Sequence, residues 1–427
     1  MKRLGPALAV RDFRLWWLAL LGMDISLQML EVAIGWEVYS QHRNVLYLGW
    51  IGLAEFIPMF VLALPAGHLA DRLPRRLVFA CSLLVGVGVG GGLAALSGAG
   101  DTSLIPYLAL AVGAGVTMAL GTPAARAMPP TLVSAELLPS AMTLRSIATQ
   151  MGQVVGPALG GLLYGVSPVL VYLLAAGTCL LAAGSVLAIR PQPAAEAIGR
   201  DARAPNLESV LEGLRFVGRT QILLGAILLD LLAVLFGGAI ALLPVFAISI
   251  LHVGPTGLGI LRAAPAVGAL LAAALITRRP LLRHAGRTLL TVVALYGASM
   301  VVFGLSRSYP LSLLALGVSG FVDLFSMNIR ATIVALATPD RLRGRVSAVE
   351  MVFISASNQL GAFESGLAAS LVGVVPAVVG GGAVTILLAL GWSRAFPDLA
   401  HVDRMQDIEP APTSVLEAAG AGAGARF

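Results

Sequence analysis

Charge is scarce in this chain, and lysine is almost absent. Only 12% of the residues are charged, against about 25% in soluble globular domains, and Lys2 is the single lysine. With no glycine-rich loop ending in lysine there is no phosphate cradle, so ATP-driven transport is disfavoured. Cysteine is nearly missing too. Cys81 and Cys179 each sit inside an apolar run, which argues against a disulfide framework and predicts both as small apolar packing residues. His68 has no second metal ligand at useful spacing, and no nucleophile–base pair stands out. Neither a metal site nor a cofactor nor an enzyme activity is expected. No short apolar segment with a small-residue cleavage site follows Lys2, Arg3, Arg11 and Arg14, so the N-terminus is expected to be a retained cytoplasmic start.

What the chain has instead is hydrophobic length. Residues of the apolar class make up 58% of the sequence, in runs of about 20 or more, enough to cross a hydrocarbon core. The runs predict an all-α integral membrane protein with twelve spans. These are 13–39, 46–69, 77–96, 104–126, 138–164 and 168–189, then 221–250, 257–276, 288–306, 311–336, 346–372 and 375–396. Arginine fixes their orientation. Arg72, Arg75, Arg76, Arg190, Arg200, Arg203, Arg215, Arg219, Arg278, Arg279, Arg283, Arg287, Arg341, Arg343 and Arg345 fall in loops on the N-terminal side, whereas the opposite loops hold Arg43 and Arg307. This is the positive-inside pattern, with both termini cytoplasmic, in a cell inner membrane. It accounts for the net charge of +6 without nucleic acid as a partner.

Four regions follow: a six-helix bundle over 1–189, a linker with an amphipathic helix over 190–219, a second bundle over 220–396, and a largely disordered cytoplasmic tail over 397–427. The two bundles match at an offset of 204 to 207 residues. Asp24 meets Asp230, Glu55 meets Arg262, Pro58 meets Pro265 and Arg126 meets Arg330. Gly156 and Gly161 meet Gly361 and Gly366. Prolines and intramembrane charges are rare enough in such a chain for their agreement to indicate duplication, with a site between parallel repeats.

Two motifs carry a resemblance. "PAGHLADRLPRR" holds Gly67, Leu69, Ala70, Asp71, Arg72, Arg75 and Arg76, with Pro74 at a usual glycine position. "GQVVGPALGG" holds Gly152, Gly156, Pro157, Gly160 and Gly161. Together they resemble the loop signature and the fifth-span glycine-proline signature of the major facilitator superfamily, whose fold is two pseudo-symmetric six-helix bundles. "VAIGWEVYS", "LRGRVSAVE" and "SNQLGAFESG" look most like its bacterial efflux branch, the transmembrane secretion effectors.

The resemblance implies that the first motif is a cytoplasmic gate, with Asp71 meeting the N-terminus of the eleventh span. There Ser347 and Glu350 match a capping box, and the gate arginines are free to pair with acidic groups. It also implies that the glycine face of the fifth span, flat enough for close packing, lies where the halves meet.

Ionisable residues within spans cost roughly 2.5–3.5 kcal/mol each at a helix centre, so Asp24, Glu55, Asp230 and Asp323 are expected to face water, a partner or the bundle interior. Asp24, Gln28 and Glu31 share one helical face. By the resemblance, spans one, four, seven and ten line a cavity. Asp24, Glu31, Asp230 and Asp323 are then candidates for proton coupling, and Arg126 and Arg330 for contact with anionic substrate groups. A structural ion pair is the alternative for each. Glu37 and Glu350 are expected to be solvated or capping, Glu55 and Glu364 to serve an interface. Trp16, Trp17, Trp36, Trp50 and Trp392 are expected as interfacial anchors.

The function these features imply is secondary active transport, as proton-coupled export of drug-, siderophore- or lysolipid-like amphipathic molecules by a monomer. Proton-coupled uptake is the alternative, and a non-transporting receptor of the same fold is a further one.

Overall fold

The computed structural model of the chain describes residues 5–190, 207–278, 284–403 and 408 and is almost wholly helical. The first six long helices are α1 (Arg11–His42), α2 (Val45–Arg72), α3 (Arg75–Ala99), α4 (Leu104–Ala127), α5 (Leu138–Val166) and α6 (Pro168–Leu187). A linker helix (Leu207–Arg219) leads into α7 (Gln221–Gly237), α8 (Pro255–Arg278), α9 (Ala285–Leu305), α10 (Tyr309–Ala337), α11 (Arg343–Val372) and α12 (Val374–Ala395). Among the described residues ten helices are long and apolar enough to cross a membrane. Outside that set are α5 and α11, of 29 and 30 residues.

Two compact units form. One joins Met1–Ala204 to Ile240–Ala266, the other Pro205–Ala239 to Val267–Phe427. Residues 240–266, expected in the second bundle, thus pack within the first unit. Small residues make this possible. A Cβ at Gly161 or Gly259 would overlap the other's helix, and one at Gly35 would lie 3.2 Å from Pro244. Tyr39 and Ser249 join their hydroxyls at 3.0 Å.

Within the first unit α1 packs against α5 and α6, α2 against α4, and α3 against α4 and α6. The α1–α5 contact runs along the glycine-proline motif. A Cβ at Gly152 would lie 2.5 Å from Asp24 Cβ, one at Gly156 2.6 Å from Gln28 Cβ, and one at Gly160 3.0 Å from the Met29 backbone. Three of the four glycines therefore serve α1, and Gly161 alone meets α8. Cys179 is buried and its thiol reaches Ser26 at 3.2 Å, whereas Cys81 is exposed on α3, contrary to its expected packing role.

The seventh span breaks where one continuous helix is expected. Its α-helix stops at Gly237, Gly238 is extended, and a 3-10 turn and a five-residue π-helix carry the chain to Ile250. Paired glycines weaken the helix, and Pro244 supplies no N–H to the carbonyl four residues back. The peptide groups set free must be satisfied internally in a membrane. Ser365 Oγ on α11 donates to the Gly238 carbonyl at 2.7 Å.

In the second unit α9 packs on α12 and α10, and α7 on α11 and α12. The linker helix buries Phe216 and Val217 against α7 and α11, while Leu211 and Leu214 stay exposed. Gly213 permits the approach, since a Cβ there would be 2.9 Å from the Arg345 carbonyl oxygen, and Arg345 pairs with Glu212 at 2.6 Å. Part of the expected tail is ordered too. Pro397–Ala400 is helical, Leu399 is buried, and Gly286 donates to the Val402 carbonyl at 3.0 Å. The rest of the tail, apart from 408, and linker residues 191–206 lie outside the described residues.

The tryptophans differ from their expected role as anchors. Trp16 is fully buried and donates to the Ala125 carbonyl at 3.1 Å. Trp17 donates to Leu144 at 2.8 Å, and buried Trp392 to Gly225 at 3.0 Å. Each indole N–H joins two helices, a bond favoured where no water competes. Trp36 is partly buried against Tyr164, and Trp50 is exposed.

Candidate functional site

Ionisable side chains inside the spans gather into three clusters. The first centres on Asp24, midway along α1. Thr149 on α5 lies beside its carboxylate, and the Arg126 guanidinium at the end of α4 faces it. Arg145, one turn before Thr149, lies beside Arg126. One carboxylate oxygen, Asp24 Oδ2, is buried without a hydrogen-bond partner among the described residues. Buried polar atoms are seldom left so. Arg126 is exposed and Arg145 half-buried.

The second cluster joins three helices of the first unit. Glu31 on α1 forms an ion pair with Arg262 on α8, and Glu55 on α2, 7% exposed, sits close to both. Glu55 and Arg262 occupy matching places in the two repeats, so the duplication has set a carboxylate and a guanidinium at one meeting point. A Cβ on Gly115 would overlap the Glu55 carbonyl, and α2 and α4 touch there.

The third cluster lies in the second unit. Arg330 on α10 forms an ion pair with Asp230 on α7 and donates from Nε to the Ser326 carbonyl at 3.3 Å. It is 8% exposed, so this cation is already neutralised. Asp323, two turns earlier on α10, is exposed, with Arg330 and Asp230 in electrostatic reach.

Two glutamates differ from expectation. Glu37 is buried, not solvated. Tyr107 donates to one of its oxygens at 3.0 Å and Tyr172 to the other, tying α1 to α4 and α6. Glu350 does not cap α11. That helix begins at Arg343, with no side-chain bond at its N-cap, which places Ser347 and Glu350 in its second and third turns. Glu350 is instead half-buried with Arg330 and Asp230 in reach. Glu364 is half-buried beside Ser365.

The loop motif is seen in part. Gly67, Asp71 and Arg72 end α2, and their side chains, with that of His68, lie outside the described residues. Arg75 donates to the Ala127 carbonyl at 3.0 Å and Arg76 to Ile189 at 2.7 Å. Both therefore cap the C-terminal ends of neighbouring helices, where a cation meets the negative pole, and among the described residues neither forms an ion pair with an acidic group.

The spacing of the sequence singles out Asp24, Arg126, Asp230 and Arg330, but passes over Arg145, Thr149 and the partnership of Arg262. A signal exists for the first two. Arg145, Thr149, Gly152 and Gly156 recur at i, i+4, i+7 and i+11, one face of one helix.

Long apolar helices in a duplicated order, with charges gathered inside them, define a multi-pass membrane transporter of the major facilitator fold. Residues 4–417 match the transmembrane secretion effector family, and the chain belongs to it. Among curated relatives it is 28% identical to the enterobactin exporter EntS of Citrobacter koseri, over 90% of this chain and 93% of that one. It is likewise 28% identical to enterobactin exporter EntS of Shigella boydii, over 78% and 80%. Similar solved folds include a POT family transporter in complex with 5-aminolevulinic acid (TM-score 0.70, 12% identity, 91% and 96% covered). A bacterial homologue of the lysosomal transporter Spinster, inward-facing and occupied, is also similar (TM-score 0.65, 16% identity, 94% and 99% covered).

Proposed function

We propose that the protein exports small amphipathic molecules through the cytoplasmic membrane in exchange for protons, as a monomer with twelve crossings and cytoplasmic termini. Its repeats are taken as 1–189 and 220–396. The observation that carries this reading is the Asp24 cluster, where a mid-span carboxylate keeps a buried oxygen unbonded next to an exposed cation. A group left half-satisfied in a low-dielectric setting is ready to take a proton. Protonation of Asp24 withdraws its charge from Arg126, and deprotonation restores it. A proton moving inward gains about 2.3 kcal/mol per 100 mV, enough to drive cargo outward. The relatives named as enterobactin exporters support the outward direction and a siderophore-like cargo. Asp230 and Asp323 are second candidates for the proton, and Gly67, Asp71, Arg72, Arg75 and Arg76 form the inner gate.

The test is purified protein in liposomes under an imposed pH gradient, with siderophore, dye and lysolipid probes. Proton flux that appears only with a probe and vanishes in Asp24→Asn supports the exchange. Flux in the same direction as the probe indicates uptake, and binding without flux under any gradient indicates a receptor.

A further inference from the structure

Two carboxylates of the first unit depend on one guanidinium. Arg262 forms its ion pair with Glu31, and Glu55 stands near enough to repel Glu31 and attract Arg262. All three are withdrawn from water. The side chains of Arg262 and Glu31 are 17% and 21% exposed, and Glu55 is 7% exposed. Among the described residues Glu55 forms no ion pair of its own.

The elements packed most closely on α2 bring no second cation to the group. They are α1, α3, α4 and the 3-10 turn at Ile240–Leu242. The turn has no ionisable side chain. On α3, Cys81 is exposed, and Arg75 and Arg76 bond to the Ala127 and Ile189 carbonyls. On α4, Tyr107 donates to Glu37 of α1, and Arg126 faces Asp24 of α1. The charges acting on Glu55 are therefore Glu31 and Arg262. Two carboxylates that share a poorly hydrated site repel each other strongly, and the pair as a whole retains a proton.

We propose that Glu31 and Glu55 hold one exchangeable proton between them, opposite Arg262, and that this pair is a second proton site of the exchange besides Asp24. Its place in the exchange rests on the transport reading; the shared proton does not. A proton that arrives converts one carboxylate to the acid and leaves the guanidinium to the other. When it departs, two anions again face one cation. Glu31 lies two turns beyond Asp24 on the same face of α1, so one helix carries a member of both sites.

Infrared spectroscopy of the purified full chain in detergent tests the pair, since a protonated carboxyl absorbs apart from a carboxylate. At neutral pH the native spectrum minus that of Glu55→Gln is expected to show one protonated carboxyl. Native minus Glu31→Gln should show the same, because the carboxylate left behind has Arg262 to itself and ionises. The double substitution should lose no more than either single one. Arg262→Gln should instead add protonated carboxyl, which unfolding into water would not do. Loss in Glu55→Gln alone would mean a proton held by burial and would overturn the sharing. No loss in either single variant, or no gain in Arg262→Gln, would overturn the pair outright. In liposomes with the siderophore probe, Glu55→Gln is expected to move fewer protons per probe molecule, down to none. An unchanged ratio removes the pair from the exchange. The infrared pattern without any probe-driven flux in the native chain spares the pair and condemns the transport reading. Flux without that pattern does the reverse.

Discussion

Asp24 with Arg126 and Asp230 with Arg330 match in residue type when the sequence is set against itself, yet their surroundings differ. In the second unit the ion pair is closed and buried. In the first, Arg126 is exposed, a second arginine stands next to it, and a carboxylate oxygen is left unbonded. The same residue types thus build a tight link between helices in one unit and a looser cluster in the other. The closed copy is a direct ion pair, whereas in the open one the Arg126 guanidinium only faces the carboxylate.

The largest effect expected from this contrast is on flux. Asp24→Asn should lower coupled proton flux by about a hundredfold or more, with little change in thermal unfolding. Equal loss from Asp24→Asn and from Asp230→Asn would erase the distinction. Stability should behave in the opposite way. Asp230→Ala strands a buried guanidinium and should cost roughly 3–5 kcal/mol, much of it recovered when Arg330→Met is added. Unfolding in detergent reads both, and Asp24→Ala should cost less than either single change in the closed pair.

A finer test uses the glycines at matching positions. A Cβ at Gly156 would lie 2.6 Å from Gln28 Cβ, but one at Gly361 would be no nearer than 3.2 Å to any atom of α7. Gly156→Ala should therefore cost about 1–3 kcal/mol, and Gly361→Ala visibly less. The smallest effect lies outside the membrane. Asp101 accepts the Ser103 amide at 2.8 Å before α4, and at the matching turn before α10 Ser306 accepts Ser308 at 3.3 Å. Bonds from the Ser103 backbone and then its side chain hold the Asp101 carboxyl below its usual value. A depressed folded value gives stability that is present above the unfolded value and lost as pH falls through the folded one. The first turn should therefore weaken slightly in acid, an effect absent from Asp101→Asn and from the second turn; amide exchange at Ser103 and Ser308 measures it.

Much of this was legible from one-dimensional pattern, because a bilayer imposes length and arginine marks the loops. The repeat singled out aspartates and arginines that the structure places beside one another, since charge inside a span is rare. What escaped was governed by packing. Glu37, near a span end, is buried because two neighbouring helices bring tyrosines to it. Trp16 and Trp392 lie inside because carbonyls of neighbouring helices face them. The α11 start was misplaced by one turn, as "RGR" prolongs the helix beyond the apolar stretch. Arg145 was passed over because its neighbour, Arg126, sits on another helix.

The broken seventh helix has a consequence of its own. A hydroxyl from α11 occupies the acceptor that the interruption exposes, so the peptide there has a donor despite the lost helical turn. The Gly238 carbonyl at the break thus meets a hydroxyl donor and not bare lipid, which offsets part of the cost of interrupting a helix inside a span.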